Sequence, residues 1–201
     1  MTGKERLSVN TRIIRSIAAG LAVLLCLLML AGCAPENDAE KKVSKELRAL
    51  RESDYVGSDV LHLRDSLSDE GKENFDAFIK KLKGFDFEIT GSEEAARTDD
   101  DCTLVSVKIK TYDFGREYLA AWTGYLRSGE NTETEDLTGF YELLFADLAS
   151  PDKKEYIKTI QIVCADPLGN GEWIADIKEN EELQDAVFGG MLSEMKALAA
   201  E

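Results

Sequence analysis

Val105-Ser106-Val107-Lys108-Ile109-Lys110-Thr111-Tyr112-Asp113 is the stretch that decides the fold. Its apolar side chains fall on every second residue as far as Ile109, the period of a strand with one covered face and one wet face. Upstream, Phe85, Phe87 and Ile89 alternate with Asp86 and Glu88. A polar stretch holding Gly91 and Asp99-Asp100-Asp101 separates the two runs, so together they predict an antiparallel hairpin. The period of two returns further on: Ile160 and Ile162, a turn-rich loop at residues 167–171, then Trp173, Ala175 and Ile177.

Everything else reads as helix. Val43, Leu47 and Leu50 recur at helical spacing and predict a first helix ending near Ser53. Residues 55–67 fit either a short helix or a turn. Ser68 is placed to cap a helix with the stripe Phe75, Phe78, Ile79 and Leu82, and Gly84 stands where that helix should stop. After Asp113 come one helix with Phe114, Tyr118, Trp122 and Tyr125, and another with Leu137, Phe140, Tyr141, Leu144 and Leu148. Thr132 and Glu135 have the spacing of a capping box for the second. The last amphipathic segment carries Leu183, Val187, Met191, Met195 and Leu198, and Gly189-Gly190 in its middle predicts two short helices instead of one. Helices, hairpin, helices, hairpin is the order of an α+β domain with a mostly antiparallel sheet and helices on one of its faces. No tandem repeat or low-complexity block divides it, so residues 43–201 are expected to form one domain.

The amino-terminal region has a different character. Lys4, Arg6, Arg12 and Arg15 stand against one acid, Glu5, and precede 14 uncharged, mostly apolar residues, 17–30. A spanning helix needs about 20 such residues. A run of this length behind a basic stretch reads as a secretory signal peptide. It ends in Leu30-Ala31-Gly32-Cys33, which resembles the lipobox of bacterial lipoproteins. That resemblance implies cleavage between Gly32 and Cys33 and a diacylglycerol thioether, the palmitate-type anchor, on Cys33. Residues 1–32 are then the signal and residues 33–42 the lipidated Cys with a solvated tether. The expected location is the cell membrane, lipid-anchored and facing the extracytoplasmic side.

Charge narrows the partners. The chain has 201 residues, 24 Lys+Arg against 39 Asp+Glu, and a net charge of −15. Residues 1–32 hold four of the bases and one of the acids, so 20 bases and 38 acids remain from Cys33 onward, a net −18. Such a body is repelled by phosphate backbones and by anionic lipid, which excludes nucleic acid and leans towards a cationic partner. Of four cysteines, Cys26 leaves with the signal and Cys33 takes the lipid, leaving Cys102 and Cys164. An exported pair suggests a disulfide. Strand parity opposes it: Cys102 shares a face with Lys108 and Lys110, Cys164 with Ile160 and Ile162. A bulge would reconcile the two, so a bridge and two buried thiols both stand as expectations.

Three segments carry a broader resemblance: Val105 to Asp113 as quoted, Gly171-Glu172-Trp173-Ile174-Ala175-Asp176, and Leu183-Gln184-Asp185-Ala186-Val187-Phe188-Gly189-Gly190. Together they resemble small Gram-positive lipoproteins with domains of the nuclear transport factor two-like superfamily. The resemblance implies a curved sheet wrapped by helices into a cone with a pocket. Members include isomerases, dehydratases and many non-catalytic binding modules, so the fold leaves function open.

Motifs for chemistry are sparse. There is no GxSxG, no GxGxxG behind a strand, no P-loop and no CxxC. His62, between Leu61 and Leu63, is the single imidazole and reads as structural. Asp99-Asp100-Asp101, and Asp166 with Asn170 and Glu172, lack the calcium-loop pattern and read as solvated turns. The acids at residues 179–182 suit a helix start. Tyr112 and Asp113 are the nearest thing to an acid–base pair, with Asp113 equally placed as an N-cap. Tyr112, Tyr118, Trp122 and Tyr125 are the candidate pocket lining, although stripes at that spacing are more often core. The expectation is a non-catalytic binding or assembly module without cofactor or metal, acting on an envelope protein. The alternative is a small-ligand carrier or sensor using a cone-shaped pocket, and an enzyme on the same fold ranks third.

Overall fold

Alternation at residues 105–109 builds the centre of a sheet. A computed structural model describes residues 37–53, 58–95, 101–128 and 137–200. In it the element order is α1 (Asp38–Glu52), α2 (Ser58–Ser66), α3 (Asp69–Lys83), β1 (Asp86–Glu94), β2 (Asp101–Thr111), α4 (Phe114–Ser128), α5 (Thr138–Ala149), β3 (Tyr156–Asp166), β4 (Ile174–Ala175), α6 (Glu181–Val187) and α7 (Met191–Ala199). The described residues are thus α+β, with seven helices and an open, four-stranded antiparallel sheet in the order β1-β2-β3-β4.

β2 and β3 pair over eleven positions without a slip, from Asp101 opposite Asp166 to Thr111 opposite Tyr156. That register puts Val105, Val107 and Ile109 on one face with Ile160, Ile162 and Cys164, all at most 2% exposed. Ser106, Lys108, Lys110, Thr159 and Gln161 look the other way and stay half-buried or exposed. β1 joins β2 with a bulge at Thr90, where the Thr90 hydroxyl donates to the Ser106 carbonyl at 3.2 Å.

α1 lies across the covered face and touches all four strands, with Ala39, Val43 and Leu47 pointing into the core. It starts at Asp38, earlier than the first periodic residue Val43, because Ala39 completes the i, i+4, i+8 stripe. Acids Asp38 and Glu40 in its first turn and Arg51 in its last complement the helix dipole. α6 covers β2 and β3; beyond them α5 packs between α3 and α4, and α4 packs against α7. Phe75 and Phe78 meet Phe145 and Phe114 edge-on at 4.9 and 5.1 Å between ring centroids, which locks the helical layer.

Caps follow the local signals. The Ser68 hydroxyl accepts from the Gly71 amide at 3.0 Å, Asp113 from the Arg116 amide at 3.1 Å, and Asn180 from the Leu183 amide at 2.8 Å. Gly84 ends α3 as expected, with a right-handed φ of −86°. Residues 55–57, the capping box Thr132–Glu135 and Asp99-Asp100 lie outside the described residues. α5 begins instead with Leu137 at its N-cap and no side-chain cap bond. β4 is only two residues long: Ile177 of the expected strand turns its amide onto the Ala175 carbonyl and leaves the ladder.

Candidate functional site

The expected pocket aromatics gather on one another. Trp122, Tyr125 and Tyr118 surround the Phe140 ring at 5.4, 5.6 and 6.3 Å, joining α4 to α5. Tyr125 is 2% exposed. Burial raises the Tyr118 hydroxyl above the ordinary tyrosine range. Tyr112 packs on Phe114 at 5.8 Å, with the Lys81 ammonium 5.2 Å above its ring. That ammonium also donates to the carbonyls of Ala149 and Pro151, tying the ends of α3 and α5 together. Asp113, the partner considered for Tyr112, is taken up by the α4 cap.

Cys102 and Cys164 are buried free thiols. Cys102 stands opposite Ala165 and Cys164 opposite Thr103, so the two side chains leave the sheet on opposite faces. The bulge that a bridge would need is in β1 and not between β2 and β3. Burial pushes the Cys164 thiol up to about 11, against a smaller opposing pull from Lys42. At neutral pH it is a protonated, weakly reactive group whose sulfur lies 3.9 Å from the Ala39 carbonyl. His62 is exposed on α2. Asp166 spends both oxygens on its own loop, accepting from the Asn170 amide at 3.2 Å and the Gly171 amide at 2.7 Å. It is an Asx-type turn organiser.

Two grooves are built by residues that the sequence did not single out as a site. The first, about 680 Å³, runs between α1 and the β4 edge. Ala49 and Leu50 of α1 line it with Val163, Ala165, Ile174 and Ile177, while Lys42, Glu46, Asp176 and Glu179 stand among its polar lining. Lys42 and Glu46 pair at 2.9 Å. Ile174 is 61% exposed because β4 ends before another element can cover it.

The second groove, about 530 Å³, lies between Lys158 of β3 and the α6–α7 corner. Asp185, 7% exposed, accepts from the Ser193 amide at 2.9 Å and from the Lys158 ammonium at 3.1 Å. Burial alone would raise its carboxyl; the Ser193 and Lys158 hydrogen bonds outweigh that and hold it below the usual aspartate range. For Lys158, burial lowers and Asp185 raises, and the carboxylate wins. Neither groove includes Tyr112, Tyr118, Trp122 or Tyr125 in its lining. Sequence reading missed both grooves because each joins segments more than twenty residues apart. The one local hint was Asp185 inside an otherwise apolar stripe.

Among the described residues no group of three or more His, Cys, Asp or Glu is arranged to hold a metal ion, and no helix is long and apolar enough to cross a membrane. Comparison with known proteins finds no matching family, no matching curated protein and no matching solved structure.

Proposed function

We propose that this protein is a lipid-anchored binding or assembly module of the bacterial cell envelope, held on the extracytoplasmic side by diacylglycerol on Cys33. The observation that carries this reading is the ordered series of basic stretch, 14-residue apolar run and Leu30-Ala31-Gly32-Cys33. Helix α1 starts at Asp38, inside the 33–42 stretch read as lipidated Cys and tether. Buried lipid contributes about 0.8 kcal/mol per CH₂, so two or three acyl chains hold firmly without a spanning helix. The same reading takes the open sheet and its helix-covered face as a nuclear transport factor two-like cone, supported by helices covering one face.

A binding role is favoured over catalysis by how the titratable groups are used. Asp113, Asp166 and Asp185 each serve a cap, a turn or an ion pair within the fold. Radiolabelled palmitate should enter the wild-type protein in its bacterial host and be lost in Cys33→Ala. Label that persists in the variant would overturn the anchor. The second reading, a small-ligand carrier or sensor, is favoured by the α1–β4 groove. Its 680 Å³ falls within the ~300–1,000 Å³ of small-molecule sites, and its floor is apolar.

A further inference from the structure

β3 is paired along its whole length with β2, whereas β4 covers only Cys164 and Ala165. Two hydrogen bonds fix which backbone groups face away from β2. The Val163 carbonyl accepts from the Asp176 amide at 2.9 Å, and the Gln161 carbonyl from the Asn180 side-chain amide at 3.0 Å. Alternation along the strand sends the N–H and C=O groups of Ile157 and Thr159 to that same side. No strand among the described residues pairs with them.

The two edges of the sheet are treated differently. β1 is blunted by the Thr90 bulge and by Asp86, Glu88, Glu93 and Glu94, the usual protections against another strand. β3 has none on the wet face of its open stretch, which shows Ile157, Thr159 and Gln161, with Ile157 55% exposed. On the covered face the same edge borders the 530 Å³ groove through Lys158. There Lys158 is held by Asp185 and Lys196 by Glu181 at 2.7 Å, while Glu182 has no ion-pair partner among the described residues. A strand laid along the edge would put one set of side chains beside Ile157 on the wet face and the other beside Lys158, at the groove that Glu182 also lines.

We propose that the Ile157–Thr159 edge of β3 is a docking edge for an extended segment of a partner protein, with apolar side chains alternating with basic ones. Backbone pairing supplies the attachment, and Glu182, in a groove whose other two acids are paired with Lys158 and Lys196, selects the basic side chains. A second copy of this chain fits less well, because it would bring its own Glu181, Glu182 and net charge of −15 against the same groove. The inference rests on the reading as a binding module and not on Cys33, so palmitate labelling is unaffected by its failure.

The test uses the full-length protein in non-ionic detergent and an eight-residue end-capped peptide of alternating lysine and valine. A peptide of alternating glutamate and valine is the control. Titration calorimetry should show the lysine peptide binding, roughly tenfold or more tighter than the control, with slowed hydrogen exchange at the Ile157 and Thr159 amides. Thr159→Pro removes one outward amide without touching the β2 ladder and should weaken binding roughly tenfold. Glu182→Lys, on the exposed face of α6, leaves the strand intact and should weaken it similarly. The proposal is overturned by absence of binding, by unslowed amides, or by unchanged affinity in both variants. Protection of the same amides that grows with protein concentration without peptide would assign the edge to a second copy and equally overturn it.

Discussion

Asp185 is the residue in which burial, charge and architecture meet. It sits inside the apolar stripe of α6, yet its carboxylate receives the Ser193 amide of α7 and the Lys158 ammonium of β3, and its own carbonyl accepts the Gly190 amide at 2.9 Å. One side chain thus fixes the angle between two helices and ties them to the sheet. Asp185→Asn should lower unfolding stability at pH 7 by about 1–3 kcal/mol, since Lys158 loses its counter-charge in a half-buried place. Urea unfolding measures it. The carboxyl is depressed in the folded chain, so its contribution is present above the unfolded aspartate value of about 3.9 and is lost as pH falls through the lower native value. The gap between wild type and variant should therefore close below about pH 4. A gap that stays constant from pH 7 to pH 3 would rule out the ionised carboxylate as its source. Lys158 works in the opposite direction: its pKa is raised, so its share is present below the unfolded lysine value and lost as pH rises through the native one.

At the scale of elements, the break between α6 and α7 shows a local signal with a tertiary cause. Gly189-Gly190 marks the break, and both residues have positive φ, +56° and +82°. Backbone conformation is only half of the requirement. The Gly189 carbonyl accepts from the Gly115 amide at 3.0 Å, and a Cβ on Gly189 would collide with the Tyr112 carbonyl. Gly189→Ala should cost at least about 2 kcal/mol, combining strain at positive φ with that clash. Thermal unfolding is the measurement, and a variant as stable as wild type would show that the corner can shift. α3 carries a cap that sequence hides. Glu142 of α5 accepts from the Ser68 amide at 2.6 Å and from its hydroxyl at 3.0 Å, placing a carboxylate at the helix N-terminus from 74 positions away.

For the whole molecule, net charge is the largest single property. Most ion pairs among the described residues have at least one exposed partner, for example Lys41–Asp38 and Lys196–Glu181, and such pairs add little each. The surplus acids therefore repel one another across a small body. Raising salt from 20 to 200 mM shortens the screening length from about 20 to about 7 Å and should raise the unfolding midpoint by roughly 2–5 °C. A flat or falling midpoint would mean that local pairing already balances the acids.

Sequence by itself determined the α+β class, the alternation of Val105, Val107 and Ile109, the cap at Ser68, and the split at Gly189-Gly190. All of these are written in contacts within a few residues, where the chain's own geometry decides the outcome. Strand parity spoke against a Cys102–Cys164 bridge but left it open, and the register of β2 and β3 without a slip decides it. Tertiary structure alone decided the length of β4, the open edge at Ile157 and Thr159, the reach of Glu142 to Ser68, and the two grooves. Each of these depends on which distant surface arrives beside a segment, and hydrophobic burial is blind to sequence separation.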